Sequence, residues 1–224
     1  MVVTELAILN CKAGGLTNRV RDILKEAAAV QGRWIAQHLA DSPTSSPERG
    51  TRMFQQVEDP SVVLLRAEWP SVASHYEWIR SQENKIIMDD LTPHIVTEGE
   101  KKVVLLHVEG DVLSSPTDPG STLLSNGKVS SVSRLFVAPE RRPAFEEKYS
   151  QASHLLRDFA GPSNHKTGWR VDKEEGSRDE FVQTTAWDSV ERHMEFTKTA
   201  DFPQYAELRN LVDEADVKHY RRFG

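Results

Sequence analysis

The sequence predicts an α+β protein made of two tandem ferredoxin-like repeats, each ordered β-α-β-β-α-β, packing sheet to sheet as a single-chain α+β barrel. Three observations lead there. A strand–Trp–Ser–His–helix segment occurs twice. The elements before and after it come in the same order in both halves. The strands are apolar on both faces along Val62–Leu65 and Val103–Leu106, so each sheet wants cover on both sides, which a second sheet would supply. The expected boundaries are residues 1–110 for the first repeat, 111–128 for a linker and 129–224 for the second repeat.

The anchor of the repeat is a tryptophan at the end of an apolar strand. The first copy reads VVLLRAEWPSVASHYEWIRS and the second FVQTTAWDSVERHMEFTKT. Trp69 aligns with Trp187, Ser71 with Ser189, Val72 with Val190, His75 with His193 and Glu77 with Glu195, at a constant offset of 118 residues and without a gap. Trp78 then faces Phe196.

In chain order, TELAILN (Thr4–Asn10) opens the first repeat as a β-rich run. A helix follows from about Thr17 to Leu39, with Val20, Ile23, Leu24, Ala27, Trp34, Ile35 and His38 at three-to-four spacing. TRMFQQV and SVVLLRAEW form a hairpin around Glu58-Asp59-Pro60. Ser71 supplies an N-cap for a second helix. Lys101–Glu109 is the last strand. The linker DVLSSPTDPGSTLLSNGK is dominated by Pro, Gly, Ser and Asp and has no sustained period. The second repeat runs through Ser131–Val137, a helix from about Pro139 to Phe159 and the hairpin HKTGWRVD/DEFVQTTAW. A helix capped by Asp188 or Ser189 follows, and Asp216–Phe223 is the final strand. Pro143 sits in a first turn, where its missing N–H costs little, and Gly161-Pro162 stops that helix.

The bulk properties exclude several classes. The net charge is −6, which argues against a nucleic-acid or anionic-membrane surface. No apolar run approaches a membrane span, and the N-terminus does not read as a signal peptide, so the expected compartment is the cytoplasm. Cys11 is the single cysteine, and no Cys/His cluster has zinc spacing. No Walker or GxGxxG motif supports a nucleotide or flavin site, so neither a cofactor nor a metal is expected.

The repeated Trp-x-Ser-x-x-x-His corner and its helix resemble the antibiotic-biosynthesis-monooxygenase type of dimeric α+β barrel. The second half is the closer match, through AWDSVERHMEFTKTADFPQYAEL. The first matches through Trp69–Ser81 and more loosely elsewhere. The linker and the Asp41–Gly50 loop lie outside the resemblance. Two-repeat forms are similar to fungal proteins, some associated with secondary-metabolite pathways. The resemblance implies cofactor-free oxygenases of polyphenols, haem-degrading enzymes, polyketide cyclases and isomerases, or stress proteins without an assigned reaction. Asn10 matches an Asn of the haem-degrading members, but Val137 stands at the nearest place in the second half. The helix His that would bind iron has no counterpart in KIIMDD or YAEL, which argues against haem breakdown.

His75 and His193 are the candidate catalytic residues. Each could take a proton from a phenol or an activated carbon acid, or could hydrogen-bond locally and fix the strand–helix corner. Trp69 and Trp187 could wall a flat substrate or plug the space under the next helix. Polar residues interrupting strands are further candidates: Arg66, His107, Arg134, Gln183, Thr185 and His219. Period-two parity puts Gln183 and Thr185 on the Trp187 face, and Arg66 opposite to Trp69. Trp34, on the first helix, could border the same pocket, and His38 and His154 lie on first helices. The expected function is a cofactor-independent enzyme acting on a small aromatic or polyketide-like metabolite, by oxygenation or by cyclisation or isomerisation. The alternative is a non-catalytic ligand-binding or stress-associated protein. The partner is a small hydrophobic or aromatic molecule, and a homodimer through exposed faces stays open.

Overall fold

The computed structural model describes residues 1–12, 14–39, 51–112, 114–115, 118–122 and 128–223. The Asp41–Gly50 loop and parts of the linker lie outside the described residues. The chain divides into two compact units, Met1–Asp111 with Arg222–Gly224, and Val112–Arg221.

The first unit begins with β1 (Val3–Asn10) and α1 (Asn18–His38). Thr17 caps α1 by accepting from the Val20 amide. The helix buries Val20, Ile23, Leu24, Gln31, Trp34 and Ile35, the stripe that its three-to-four spacing requires. β2 (Arg52–Gln56) and β3 (Val62–Trp69) form the hairpin, α2 (Val72–Ile79) and α3 (Gln82–Leu91) follow, and β4 is Val104–Glu109. Its antiparallel sheet has the order β4-β1-β3-β2. The second helix of the sequence reading is two helices. Ser81 accepts from the Asn84 amide and so starts a new helix where α2 ends.

Residues 111–128, read from the sequence as a linker, contain a short hairpin, β5 (Ser114–Ser115) with β6 (Asp118–Thr122). The second unit continues with β7 (Val129–Val137), a 3-10 turn at Pro139–Arg141, and α4 (Arg142–Ala160). Gly161 ends α4 at a φ of 93°, a conformation that favours glycine. β8 (His165–Trp169), β9 (Asp179–Trp187), α5 (Val190–Phe196), α6 (Phe202–Ala206) and β10 (Glu214–Arg222) complete the repeat. The sheet order is β10-β7-β9-β8, the same as in the first unit. Here too the second helix is divided, with Pro203 in the first turn of α6.

The helices cover one face of each sheet, and each unit's core is split into two clusters. In the first unit, Leu9, Ile23, Leu24, Val63 and Ile95 form one, and Trp34, Ile35, Ala67, Trp69 and Trp78 the other. In the second, Phe145, Trp169 and Phe181 centre one cluster and Leu156, Trp187 and Phe196 the other. A side chain such as Leu24, 1% exposed, contributes about 1.5–3 kcal/mol by leaving water. Between the two clusters of each unit the layer of side chains is incomplete, and that gap positions the candidate sites.

Candidate functional site: two cavities and two Trp–His corners

Each unit has a partly open cavity between its helices and its sheet. In the first it has about 230 Å³ and is walled by β1, β3, β4, α1, α2 and α3, with Leu9, Leu24, Leu65, Trp78, Ile87 and Met88 among its apolar lining. Its polar lining comes from Glu5, Gln31, Thr51, His75 and Asn84. In the second unit it has about 310 Å³, with Leu135, Leu156, Phe196, Phe202 and Leu208 on its walls and Ser133, Gln183, His193 and Tyr205 as polar groups. Both sit at the small end of ligand pockets and are mostly apolar with few converging polar groups.

The repeated corner is built the same way twice. The cap serine (Ser71 or Ser189) accepts from an amide three residues on, and the helix it starts carries a histidine in its first turn. That imidazole stacks on the anchor tryptophan: His75 on Trp69 at 4.5 Å and 19°, His193 on Trp187 at 4.6 Å and 13°. Its Nδ1 meets a second histidine from the last strand, His75 with His107 Nε2 at 2.7 Å and His193 with His219 Nε2 at 2.8 Å. The polar strand residues His107 and His219 are thus the partners of the two corner histidines.

The corners differ in what receives the indole N–H. In the first unit Trp69 Nε1 donates to Glu5 Oε2 at 2.7 Å, and His75 Nε2 lies 3.3 Å from the same oxygen. In the second, Trp187 Nε1 donates to the Ser131 hydroxyl at 2.9 Å. Register explains the correspondence, because Val3 faces Trp69 and Val129 faces Trp187, so Glu5 and Ser131 each follow two residues along their strands.

The charge states diverge accordingly. Burial raises the Glu5 carboxyl to about 7, against the opposing pull of the Trp69 N–H and the His107 charge. Burial lowers His193 to about 4, helped by the neighbouring His219, so this imidazole is neutral near pH 7. The first corner therefore holds a carboxyl that exchanges a proton near neutrality, hydrogen-bonded to one side chain and in line with two imidazoles. Such a group at the wall of an apolar cavity can act as a general base or acid.

Of the residues singled out from the sequence, His75, His193 and Gln183 line the cavities. Trp69 and Trp187 stand behind the imidazoles, 0% and 2% exposed, outside the lining. Thr185 is also behind the wall, within 2.9 Å of His165 Nδ1. Trp34 lies against Trp78 at 5.6 Å and carries His38 stacked on its other ring contact, so it backs the cavity without lining it. Arg66 is bound to Glu68 and Asp111. Sequence reasoning misses Glu5, although a glutamate in TELAILN with the parity of Ala7 and Leu9 is the available signal. It also misses Tyr149, Tyr205 and His165, which surround Gln183. Among the described residues, no three His, Cys, Asp or Glu side chains cluster as metal ligands, and no helix is long and apolar enough to cross a membrane.

No protein-family model matches the chain, and no curated protein matches it. Solved structures do. An anthrone oxidase-like protein matches with a TM-score of 0.64 at 12% identity, over 100% of this chain and 92% of its own. A Lactobacillus acidophilus protein, provisionally named a monooxygenase, matches with a TM-score of 0.56 at 11% identity, over 99% and 93%. A protein provisionally named a chlorite dismutase matches with a TM-score of 0.53 at 9% identity, over 100% and 95%. These likenesses show the fold: the chain has the α+β fold of these solved structures over nearly its whole length. The differing names on one fold leave the reaction to be argued from the site.

Proposed function

We propose that the protein is a cofactor-independent oxygenase of a small aromatic or polyketide-like compound, with the first unit's cavity as its active site. The observation that supports this reading is the Glu5 carboxyl, titrating at about 7 on the wall of an apolar cavity and joined to His75 and His107. An anthrone or electron-rich phenol loses a proton to Glu5 and becomes an enolate or phenolate. Molecular oxygen takes an electron from that anion and joins its ring carbon as a hydroperoxide. Glu5 returns its proton to the peroxide anion. The ionised carboxylate then takes the hydrogen left on the oxygenated carbon as the O–O bond breaks, the departing hydroxide leaves as water with that proton, and a carbonyl remains. The balance for an anthrone is one O2 consumed, one quinone and one water formed. The apolar walls exclude bulk water and keep the ring at the base, so orientation supplies part of the acceleration. His75 and His107 spread the charge that appears when Glu5 ionises. The same pocket suits a step in secondary metabolism in the cytoplasm.

The test is turnover of 1,8-dihydroxyanthrone in air, followed by absorbance and mass spectrometry. Glu5→Gln is expected to lower kcat by roughly 10²-fold or more, the contribution of a positioned general base. The wild-type rate rises with pH through about 7, because the base must be ionised. Unchanged turnover in both Glu5→Gln and His75→Ala would refute the assignment.

A further inference from the structure

The second cavity carries a different chemistry, centred on Gln183. This side chain is 5% exposed and lines the cavity from β9. Its Oε1 accepts from two phenols, Tyr149 Oη at 3.1 Å and Tyr205 Oη at 3.0 Å. An amide oxygen has two acceptor positions, so both are used, and the other end of the amide carries two N–H donors. That nitrogen has no hydrogen-bond partner among the described residues.

A chain of hydrogen bonds runs behind the amide. Burial holds His165 near 4, so it is neutral and has a single ring hydrogen. With the Tyr149 hydrogen given to Gln183, Tyr149 Oη accepts from His165 Nε2 at 2.7 Å, and the remaining ring nitrogen, Nδ1, then accepts from the Thr185 hydroxyl at 2.9 Å. The chain links Thr185, His165 and Tyr149 to Gln183 Oε1, and with Oε1 taken by the two phenols the amide N–H groups are the end of Gln183 available to a ligand. Ser133 faces Gln183 across the β7–β9 ladder and lines the same wall. Leu135, Phe196 and Leu208 supply apolar lining, His193 and Thr197 add polar groups elsewhere on the wall, and the charged Arg209 is exposed at the edge.

We propose that the second unit's cavity binds a compact, uncharged ketone or quinone, whose carbonyl oxygen accepts from the Gln183 side-chain amide. A carbonyl oxygen brings two acceptor positions and no donor. That matches a site whose own amide acceptor is saturated and whose amide donors are open. The proposal concerns the second unit alone and stands whether or not the first unit turns a substrate over.

The experiment compares 1-tetralone with tetralin, the same two-ring skeleton without the carbonyl, by calorimetry on the full chain. Tetralone is expected to bind about threefold to tenfold more tightly, the effect of one net hydrogen bond. Gln183→Leu should bring the two ligands to equal affinity while tetralin binding persists, and Gln183→Met gives a second reading should the leucine variant unfold. Ala206→Trp, which fills this cavity, should abolish both. Ala28→Trp, in the first unit's cavity, should leave the tetralone preference in place. Equal affinities in the wild-type protein, a preference that survives loss of the amide, or one removed by Ala28→Trp would each overturn the proposal.

Discussion

Replacing Glu5 by glutamine changes how the first unit's stability depends on pH, and the size of the change follows from the corner's geometry. Glutamine keeps an oxygen to accept from Trp69 but has no proton to lose. In the wild-type protein the ordinary carboxyl value of 4.5 rises to about 7 on folding, chiefly through burial. Below pH 4.5 both folded and unfolded chains carry a protonated Glu5, and the stability that the neutral carboxyl permits is fully present. Between 4.5 and 7 the unfolded chain ionises first, so stability falls as pH rises. Above 7 the whole loss has been taken, on the order of 3 kcal/mol. Glu5→Gln is therefore expected to gain about 3 kcal/mol relative to the wild type between pH 4 and pH 8. His165 and His193 titrate in the opposite sense, losing stability as pH falls from 6.5 towards about 4. They are common to both proteins and cancel in the difference. Urea titrations at several pH values give that difference, and hydrogen exchange at β1 and β3 amides assigns it to the first unit. Parallel pH profiles for the two proteins would refute the reasoning, since they would mean that Glu5 keeps an ordinary acidity in the fold.

Three further outcomes are expected. Ser131→Glu places a carboxylate beside Trp187 where the first unit has one, and it should raise the His193 titration from about 4, read from imidazole proton shifts by NMR. Phe145→Ala removes a side chain that is 0% exposed and contacts Tyr149, Trp169 and Phe181, so a loss of about 3–5 kcal/mol is expected in urea denaturation. Cys11 is 7% exposed and burial pushes its thiol up, so it should react with a thiol reagent far more slowly in native protein than in urea.

The repeat was legible because the strand–helix corner is local: a tryptophan, a capping serine and a first-turn histidine lie within seven residues of each other. Helix α1 was legible because its buried stripe has helical period. The division of the second helix was not, since a serine inside an apolar pattern reads as surface until its side chain is seen capping Asn84. Glu5 was hidden for a different reason. The corner repeats at an offset of 118 residues, but Glu5 and Ser131 are 126 apart and His107 and His219 are 112 apart. Unequal loops between the elements break any single alignment, and only strand pairing brings these residues together. The hydrogen-bond network around Gln183 draws on α4, β8, β9 and α6, and no sequence spacing encodes such a convergence.

The difference between Glu5 and Ser131 has a genetic consequence. In a protein assembled from two identical chains, every substitution is made twice, and a carboxyl introduced at one corner appears at the other. A gene that encodes both copies in one reading frame lifts that constraint. One corner can acquire an acid and the stability cost that comes with it, while its twin stays neutral and is selected for something else.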